Sequence, residues 1–503
     1  MRKELLFEIE RKVLIPLCVN NYRNYGYYNI ASYLVKKKKG VKNYLQRKIE
    51  ELMHFWDVRQ IKVEQSKIQS LGFTIKPYGK KYDPNKIIKK VLFLLFSLTL
   101  LTVSLQAQNI IIKAGHLFDS RSGKMLNDQT IVINNGKILD VGSNLKYNKT
   151  DTVIDLSKSW VLPGLMDCHV HITFNFPYGN PSYVEVYTTE STALRALRGA
   201  YVAEQFLMSG FTTIKEIGND ANYATADVRK AIKMGWFKGP TIYYAGKIIG
   251  PYGGQTANIN IENEHLWNFE YIDADNPSEI IKAIRKNIYY GANVIKLVSG
   301  QQAGYYNLDD IKAAVDEAKK SGLKVTVHVQ GGMAARNVIL GGAAAIEHGF
   351  ELDDDLLRLM KEKGTFLVGT DVGYDSNMSW GMDSIRARFQ EKRAIDRLKR
   401  AYKIGTKMAY GTDLVINEPG LNRVQVSMKV LKTWKAAEIP NLYILQAMTI
   451  NAAELLGCEK SRGVLEQSYW ADIIALKNNP LEDIEAVKNV HFVMKEGKVI
   501  KED

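Results

Sequence analysis

Cysteine and histidine are both scarce in this sequence of 503 residues, which has 3 of the first and 8 of the second. Only Cys168 and Cys458 stand downstream of the apolar run near residue 100, with Cys18 far upstream, so a disulfide framework is not indicated as the device that holds the fold together. A chain this long can bury enough apolar surface to do without covalent staples. The apolar run Val91 to Val103 is short for a membrane-spanning helix, which needs about 20 residues. No GxGxxG follows an early strand-like segment, and Gly250, Gly253 and Gly254 are not so spaced, which argues against a dinucleotide-binding open sheet.

Negative charge is in short supply only at one end. The formal net charge is +14, but residues 1–90 hold 21 Lys plus Arg against 8 Asp plus Glu, leaving 47 against 46 for the rest. Everything downstream is close to neutral, so a basic track for nucleic acid has no support and none is expected as a partner. The run "LVKKKKG" in the upstream part reads as a solvated charge cluster.

What is present begins with "NKIIKKVLFLLFSLTLLTVSLQAQ". Lys89 and Lys90, a short apolar run and Ala107 before Gln108 stand in the order of a secretory signal peptide. Two features depart from that pattern: Leu105 is large for its position, and the segment starts near residue 87 rather than near residue 1. The expectation is a basic extension over 1–86 that need not be translated, a signal-like segment over 87–107, and a periplasmic or secreted mature protein. Membrane contact is expected only through the apolar segment if it stays uncleaved, and self-association is left open.

After Gln108, "NIIIKAGHLFD", "QTIVINNGKILDVG" and "DTVIDLSKSWVLPG" read as strands, with Asn135-Gly136 as a hairpin turn. "ADIIALKNNPLEDI" and "NVHFVMKEGKVI" at the other end read alike, and the two sets together would make one small β-domain over 108–162 and 458–503. Between them, over 163–457, helical patterns alternate with short β-type segments, eight in all when "VLPGLMDCHVHI" is counted first and "TKMAYGTD" last. Gly210, Gly291, Gly322 and Gly405 stand where helices should end. This alternation predicts an α/β fold, a (β/α)8 TIM barrel inserted into a β-sandwich formed by both ends of the mature chain.

In such a barrel the chemistry sits at the C-terminal ends of the strands. His169 and His171, at i and i+2 of one strand, share a face. Lys296 ends "ANVIKLV", His328 ends "LKVTVHV", His348 closes "AAIEHG" and Asp413 closes "MAYGTD". Any one of these has a duller explanation: a satisfied core histidine, a helix cap, an ion-paired lysine. As a set they do not, because four of the seven histidines after Gln108 fall at predicted strand ends, with His116, His265 and His491 elsewhere. Imidazole and carboxylate suit Zn2+, with Mn2+, Co2+ and Fe2+ harder to exclude.

"VLPGLMDCHVHI", "LMSGFTTIKEIG", "GANVIKLVSG", "VTVHVQGG", "AAAIEHGFELD" and "MAYGTDL" follow one another here in an order that resembles the amidohydrolase superfamily, especially its branch of imidazolonepropionase-related enzymes and metal-dependent Xaa-Pro dipeptidases. The likeness runs from about Asn109 to Asp503. It implies that His169, His171 and Asp413 bind one metal ion and His328 and His348 a second, bridged by a carboxylated Lys296 and a hydroxide. Asp413 would also shuttle the proton from the attacking hydroxide to the leaving nitrogen. The implied activity is hydrolysis of a C–N bond in a dipeptide, an N-acyl amino acid or a cyclic amide, with two divalent ions, Zn2+ in the first place, as cofactors.

The sequence departs from these relatives after the third strand, where "IIGPYGGQTANI" has Tyr252 and Gln255 and no histidine, and in the second strand, where Glu216 replaces a more usual Asp. Glu216 is expected to act through a hydrogen bond. Tyr252, Tyr305 and Tyr306 are candidate substrate contacts on the rim, although a tyrosine more often packs than recognises. "YDSNMSWGMDSIRARF" reads either as a lid or as a surface connection. Two other functions compete with the leading one: a mononuclear deaminase that has no use for Lys296 as a ligand, and a non-catalytic periplasmic metal- or peptide-binding protein.

Overall fold

The computed structural model describes residues 108–503 apart from 180, 256–259 and 301–303. The upstream extension, the signal-like segment and Cys18 lie outside the described residues. Within them, no helix is long and apolar enough to cross a membrane, and Cys168 and Cys458 are free thiols, both buried.

The chain opens with β1 (Ile110–Asp119), β2 (Lys124–Asn134), β3 (Lys137–Gly142) and β4 (Thr152–Pro163). The middle holds β5 (Leu165–Val170), β6 (Phe211–Glu216), β7 (Thr241–Tyr244), β8 (Ile248–Gly250), β9 (Tyr271–Asp273), β10 (Ile295–Val298), β11 (Val325–Gly331), β12 (Ala345–Glu351) and β13 (Phe366–Val368). It closes with β14 (Ile473–Leu476), β15 (Val490–Lys495) and β16 (Lys498–Glu502).

Both ends of the described chain share one seven-stranded sheet, ordered β16-β15-β14-β4-β1-β2-β3. The junction is β14 lying antiparallel to β4, with Ile473 opposite Pro163. Apolar residues from both ends, among them Ile112, Leu117, Ile131, Val161, Ile473, Phe492 and Met494, pack into a cluster of their own. Neither end has enough alternating apolar positions to bury a face by itself, and pairing supplies the missing half.

The β2–β3 hairpin turns at Asn135 (φ 49°) and Gly136 (φ 81°), the left-handed pair that a two-residue turn requires. Its tip is clamped by the other end of the chain: a Cβ on Gly136 would lie 2.7 Å from the Glu496 carbonyl oxygen. Gly136→Ala is therefore expected to cost about 2 kcal/mol, from backbone strain and crowding together. Urea unfolding of the purified variant checks this, and an unchanged midpoint would refute it.

In the middle region, β5, β6 and β7 form a parallel sheet, and a second, with order β13-β12-β11-β10-β8-β9, is parallel throughout. Helices Thr192–Met208, Ala224–Lys233, Pro277–Tyr289, Leu308–Lys320, Gly332–Leu340, Asp354–Lys363 and Ser384–Ile404 alternate with the strands as their periodicity predicts. The last starts at Asp383, whose carboxylate accepts from the Ile385 and Arg386 amides, and buries Ala387, Ala394, Leu398 and Ala401 along one stripe. Arg397 lies on the same buried side. The glycines expected at helix ends all have positive φ, with Gly405 itself the cap and the other three one residue beyond it.

Two expectations need correction. "TKMAYGTD" forms no regular strand; its residues bond alternately to two neighbours, Leu367 in β13 through Lys407 O and Ala409 N (2.9 and 3.1 Å), and β5 through Tyr410 O to Cys168 N (2.8 Å). The one bridge it makes among the described residues is Leu367 with Met408, and Asp413 at φ 53° turns the chain out of the extended region. The short strands β8 and β9, three residues each, were not expected, because three residues give too few alternations to register as a pattern. At the opposite flank, the Asn293 and Val294 amides donate to Tyr244 O of β7 (2.9 and 3.4 Å) just before β10 begins.

Candidate metal centre

The site starts from β5, every residue of which is buried. Asp167 uses both oxygens to hold the chain around it: Oδ1 accepts from the backbone amides of His169 (3.0 Å) and Thr412 (3.2 Å), and Oδ2 from the Thr412 hydroxyl (2.7 Å). The Asp413 amide then donates to His169 O (2.9 Å). These bonds bring a residue nearly 250 positions away beside the two histidines. Asp413 Oδ1 lies 3.5 Å from His169 Nε2 and 3.2 Å from His171 Nε2. Among the described residues these three form the one group whose ligand atoms all fall within 4.8 Å of each other.

Two more imidazoles adjoin them. The rings of His348 and His169 are 5.0 Å apart and those of His348 and His328 4.2 Å. Asp413 Oδ2 is 3.8 Å from His348 Nδ1. His348 has φ 70°, a conformation costly for a non-glycine residue. Buried Arg397 donates to its carbonyl oxygen and secures that backbone. The amides of Gln255 and Gln330 flank the His328 ring nitrogens at 3.3 and 3.4 Å. Lys296 is buried on β10, which pulls its pKa down to about 8 against the attraction of Glu347 and Asp413.

The outer ring nitrogens are tied back. His169 Nδ1 meets Glu347 Oε2 (2.7 Å), His171 Nδ1 the Gly218 carbonyl oxygen (2.7 Å) and His348 Nδ1 the Thr370 hydroxyl (2.8 Å). A carboxylate and a carbonyl only accept, so in His169 and His171 Nδ1 carries the proton. Nε2 is the nitrogen left to face Asp413 in each. His348 Nε2 is buried with no hydrogen-bond partner among the described residues, an arrangement costly for a polar atom with no ligand.

Burial holds His169 near pKa 4 despite Asp413 and Glu347, holds His328 near 3 with help from Lys296, and keeps His348 well below the usual range. These rings are neutral at neutral pH and keep their lone pairs. His171 goes the other way: burial opposes protonation, but Asp413 and Glu216 outweigh it and lift the pKa to about 10. Asp413 itself is lowered, burial notwithstanding, by His169 and His171. Neutral His169, His328 and His348, the ionised Asp413 carboxylate and the orphaned His348 nitrogen fit a divalent cation with affinity for nitrogen and oxygen, and His171 becomes a donor when the cation displaces the proton that Asp413 and Glu216 hold on it.

The tyrosines fare differently. Tyr306 is buried, and its hydroxyl commits its one proton to the Ala274 carbonyl oxygen (2.8 Å), so it packs into the core and does not stand on the rim. Tyr252 is exposed with its hydroxyl on Glu264 Oε1 (2.7 Å), and Tyr305 is exposed. Glu216 does hydrogen-bond, taking the Ile172 amide at 2.5 Å, with Oε1 3.7 Å from His171 Nδ1. The segment after β13 forms the short helix Tyr374–Ser379.

Sequence reasoning missed Asp167, Lys215, Thr326, Glu347 and Thr370. The available signal was charge inside apolar runs, as in "TTIKEIG" and "AAAIEHG", since charged groups are seldom buried without a partner. It also missed an aromatic wall. Phe174 and Phe176 follow the histidines directly, Phe176 meets Tyr183 (4.8 Å) and Trp380 (5.6 Å), and the charge on Asp413, after burial, raises the Tyr183 phenol.

Residues 160–500 match the amidohydrolase family. The chain belongs to that family. This amidohydrolase is similar to ochratoxinase of Aspergillus niger, with 28% identity over 438 residues, 79% of this chain and 87% of the relative. It is also similar to imidazolonepropionase of Kosmotoga olearia, with 22% identity over 74% of this chain and 91% of the relative. Among solved structures, a Xaa-Pro dipeptidase with methionine bound in its active site superposes with a TM-score of 0.67 at 28% identity, covering 78% of this chain and all of the other. The amidohydrolase is accordingly a hydrolase acting on C–N bonds, with a mixed α/β fold built on parallel sheets, and its His-His-Asp group fits the metal binding of the family.

Proposed function

We propose that this chain is an exported, binuclear metal-dependent amidohydrolase that cleaves the C–N bond of a dipeptide, an N-acyl amino acid or a cyclic amide. The observation that carries the reading is the meeting of His169, His171 and Asp413 with the rings of His328 and His348, their outer nitrogens tied back. His169, His171 and Asp413 would hold one ion and His328 and His348 the other, Zn2+ being the first choice, with carboxylated Lys296 between them. Bound there, the cations would supply Lewis acidity to the scissile carbonyl and acidify water. Asp413 Oδ accepts the proton of the attacking water and returns it to the leaving nitrogen. Tyr252 and Tyr305 remain rim candidates for substrate contact.

The fold reading goes with this. Hydrogen bonds at both flanks of the parallel sheets support closure of 163–457 into a (β/α)8 barrel, and the shared seven-stranded sheet supports a β-sandwich from 108–162 and 458–503. Export rests on the order of basic, apolar and small residues over 87–107, and N-terminal sequencing of the native protein tests it.

Metal-stripped protein reloaded with Zn2+, Mn2+ or Co2+ and incubated with pooled dipeptides, N-acyl amino acids, cyclic amides and lactones should give hydrolysis products by mass spectrometry, lost again on chelation. A panel without products under any metal would defeat the reading. The compact three-residue group favours a second one, a mononuclear deaminase. Two ions per chain, falling when Lys296 is replaced by alanine, supports the first; one ion, indifferent to that change and to bicarbonate, together with ammonia release, supports the second.

A further inference from the structure

Behind the imidazoles lies a buried set of charges that the reaction as proposed does not use. Lys215 of β6 and Glu347 of β12 form an ion pair of 2.6 Å, with side-chain exposures of 1% and 0%. Glu347 Oε1 also accepts from the Thr326 hydroxyl of β11, and Lys215 Nζ is 3.5 Å from the same hydroxyl. The second oxygen, Oε2, is turned to His169 Nδ1 of β5 at 2.7 Å. Three neighbouring strands thus converge on one carboxylate of a fourth.

Stability does not account for this arrangement. A buried ion pair is commonly matched or exceeded by apolar side chains of the same volume, because desolvation consumes most of the Coulombic gain. Nor does orientation of a ring require a full charge: His171 and His348 turn the same nitrogen to a carbonyl and to a hydroxyl. A carboxylate does more than a neutral acceptor. It fixes the tautomer with the proton on Nδ1 and adds electron density to the ring, so that Nε2 becomes a stronger donor. Lys215 and Thr326 hold that carboxylate aimed at the ring.

We propose that Glu347, neutralised by Lys215 and steadied by Thr326, is a positioning residue that fixes the His169 imidazole with its proton on Nδ1 and so sets the affinity of the site for its cation. This rests on the metal reading above, with the tautomer part independent of it.

The test uses paired substitutions that never leave a buried charge alone. Lys215→Met with Glu347→Leu removes the acceptor and both charges; Lys215→Met with Glu347→Gln removes the charges and keeps an acceptor oxygen. In cation-free protein, nitrogen-15 spectra of the imidazoles should show a single His169 tautomer in the parent and the Gln variant and a mixture in the Leu variant. Zn2+ affinity, read by competition with a chelator, should fall about 10- to 100-fold in the Leu variant and recover in part in the Gln variant. The cation-free protein should stay cooperatively folded in both, with its midpoint of unfolding lower in the Leu variant, where the His169 Nδ1–H and the Thr326 hydroxyl lose their acceptor. A parent-like tautomer and affinity in the Leu variant would overturn the proposal, as would an affinity loss matched by collapse of the cation-free fold. Should the parent take up no divalent cation, the functional reading fails, and the imidazole spectra still decide the role of Glu347 at His169.

Discussion

Asp413→Asn should lower kcat by about 100- to 10,000-fold with KM little changed, the range expected when a positioned general acid–base is lost. The substitution separates chemistry from folding unusually well. Asp413 sits at φ 53°, a left-handed conformation that asparagine adopts at least as readily as aspartate. Its backbone amide stays bonded to His169 O, and the neighbouring Thr412 stays bonded to Asp167. An amide oxygen can still face His169 and His171 at the carboxylate's distances of 3.5 and 3.2 Å, but it cannot take up the proton of attacking water and pass it on. Steady-state kinetics on a substrate found by the mass-spectrometric panel, with metal content measured on the same preparation, checks the point. A variant that kept its metal and its kcat would remove Asp413 from the chemistry.

The largest effect on stability is expected from Arg397→Met. Arg397 is fully buried and donates to three acceptors: the His348 carbonyl, the Gly369 carbonyl (3.2 Å) and the Asp371 carboxylate. Trp434 Nε1 holds the other Asp371 oxygen at 2.8 Å. Removing the guanidinium leaves a buried carboxylate with neutral donors alone, at a cost of about 3–5 kcal/mol. It also frees the backbone of His348 from the bond that secures its positive φ, so cation binding should weaken in parallel. Arg397→Met combined with Asp371→Leu should regain most of the loss, because the stranded charge is gone. Chemical unfolding of both variants decides it, and a double variant no more stable than the single one would show that the charge pair is not the cause.

Much of the site was legible in the sequence because its donors are rare residue types at repeated places. His171 and Asp413 closely follow segments hydrogen-bonded to parallel neighbours and His169 is the last residue but one of β5, whereas His328 and His348, expected at strand ends, lie midway along β11 and β12. Tyr306 was misplaced for the opposite reason. Tyrosine is common here, 27 in the chain, and nothing local says whether its hydroxyl meets substrate or, as it does, the Ala274 carbonyl. The last β-type segment failed to become a strand because its bonds go to two different partners, which apolar alternation cannot report.

The sequence by itself determined the alternation of helix and strand, the turn at Asn135-Gly136, and which side chains could hold a cation, since periodicity, turn preference and ligand chemistry are properties of a residue and its near neighbours in the chain. Only the tertiary structure decided which partner each buried charge takes. Glu347 finds Lys215 across 132 residues and His169 across 178, and Asp167 finds Thr412 across 245. Those choices follow from desolvation: a charge withdrawn from water must be met by whatever complementary group the packed strands bring within bonding distance, and sequence separation places no limit on which group that is.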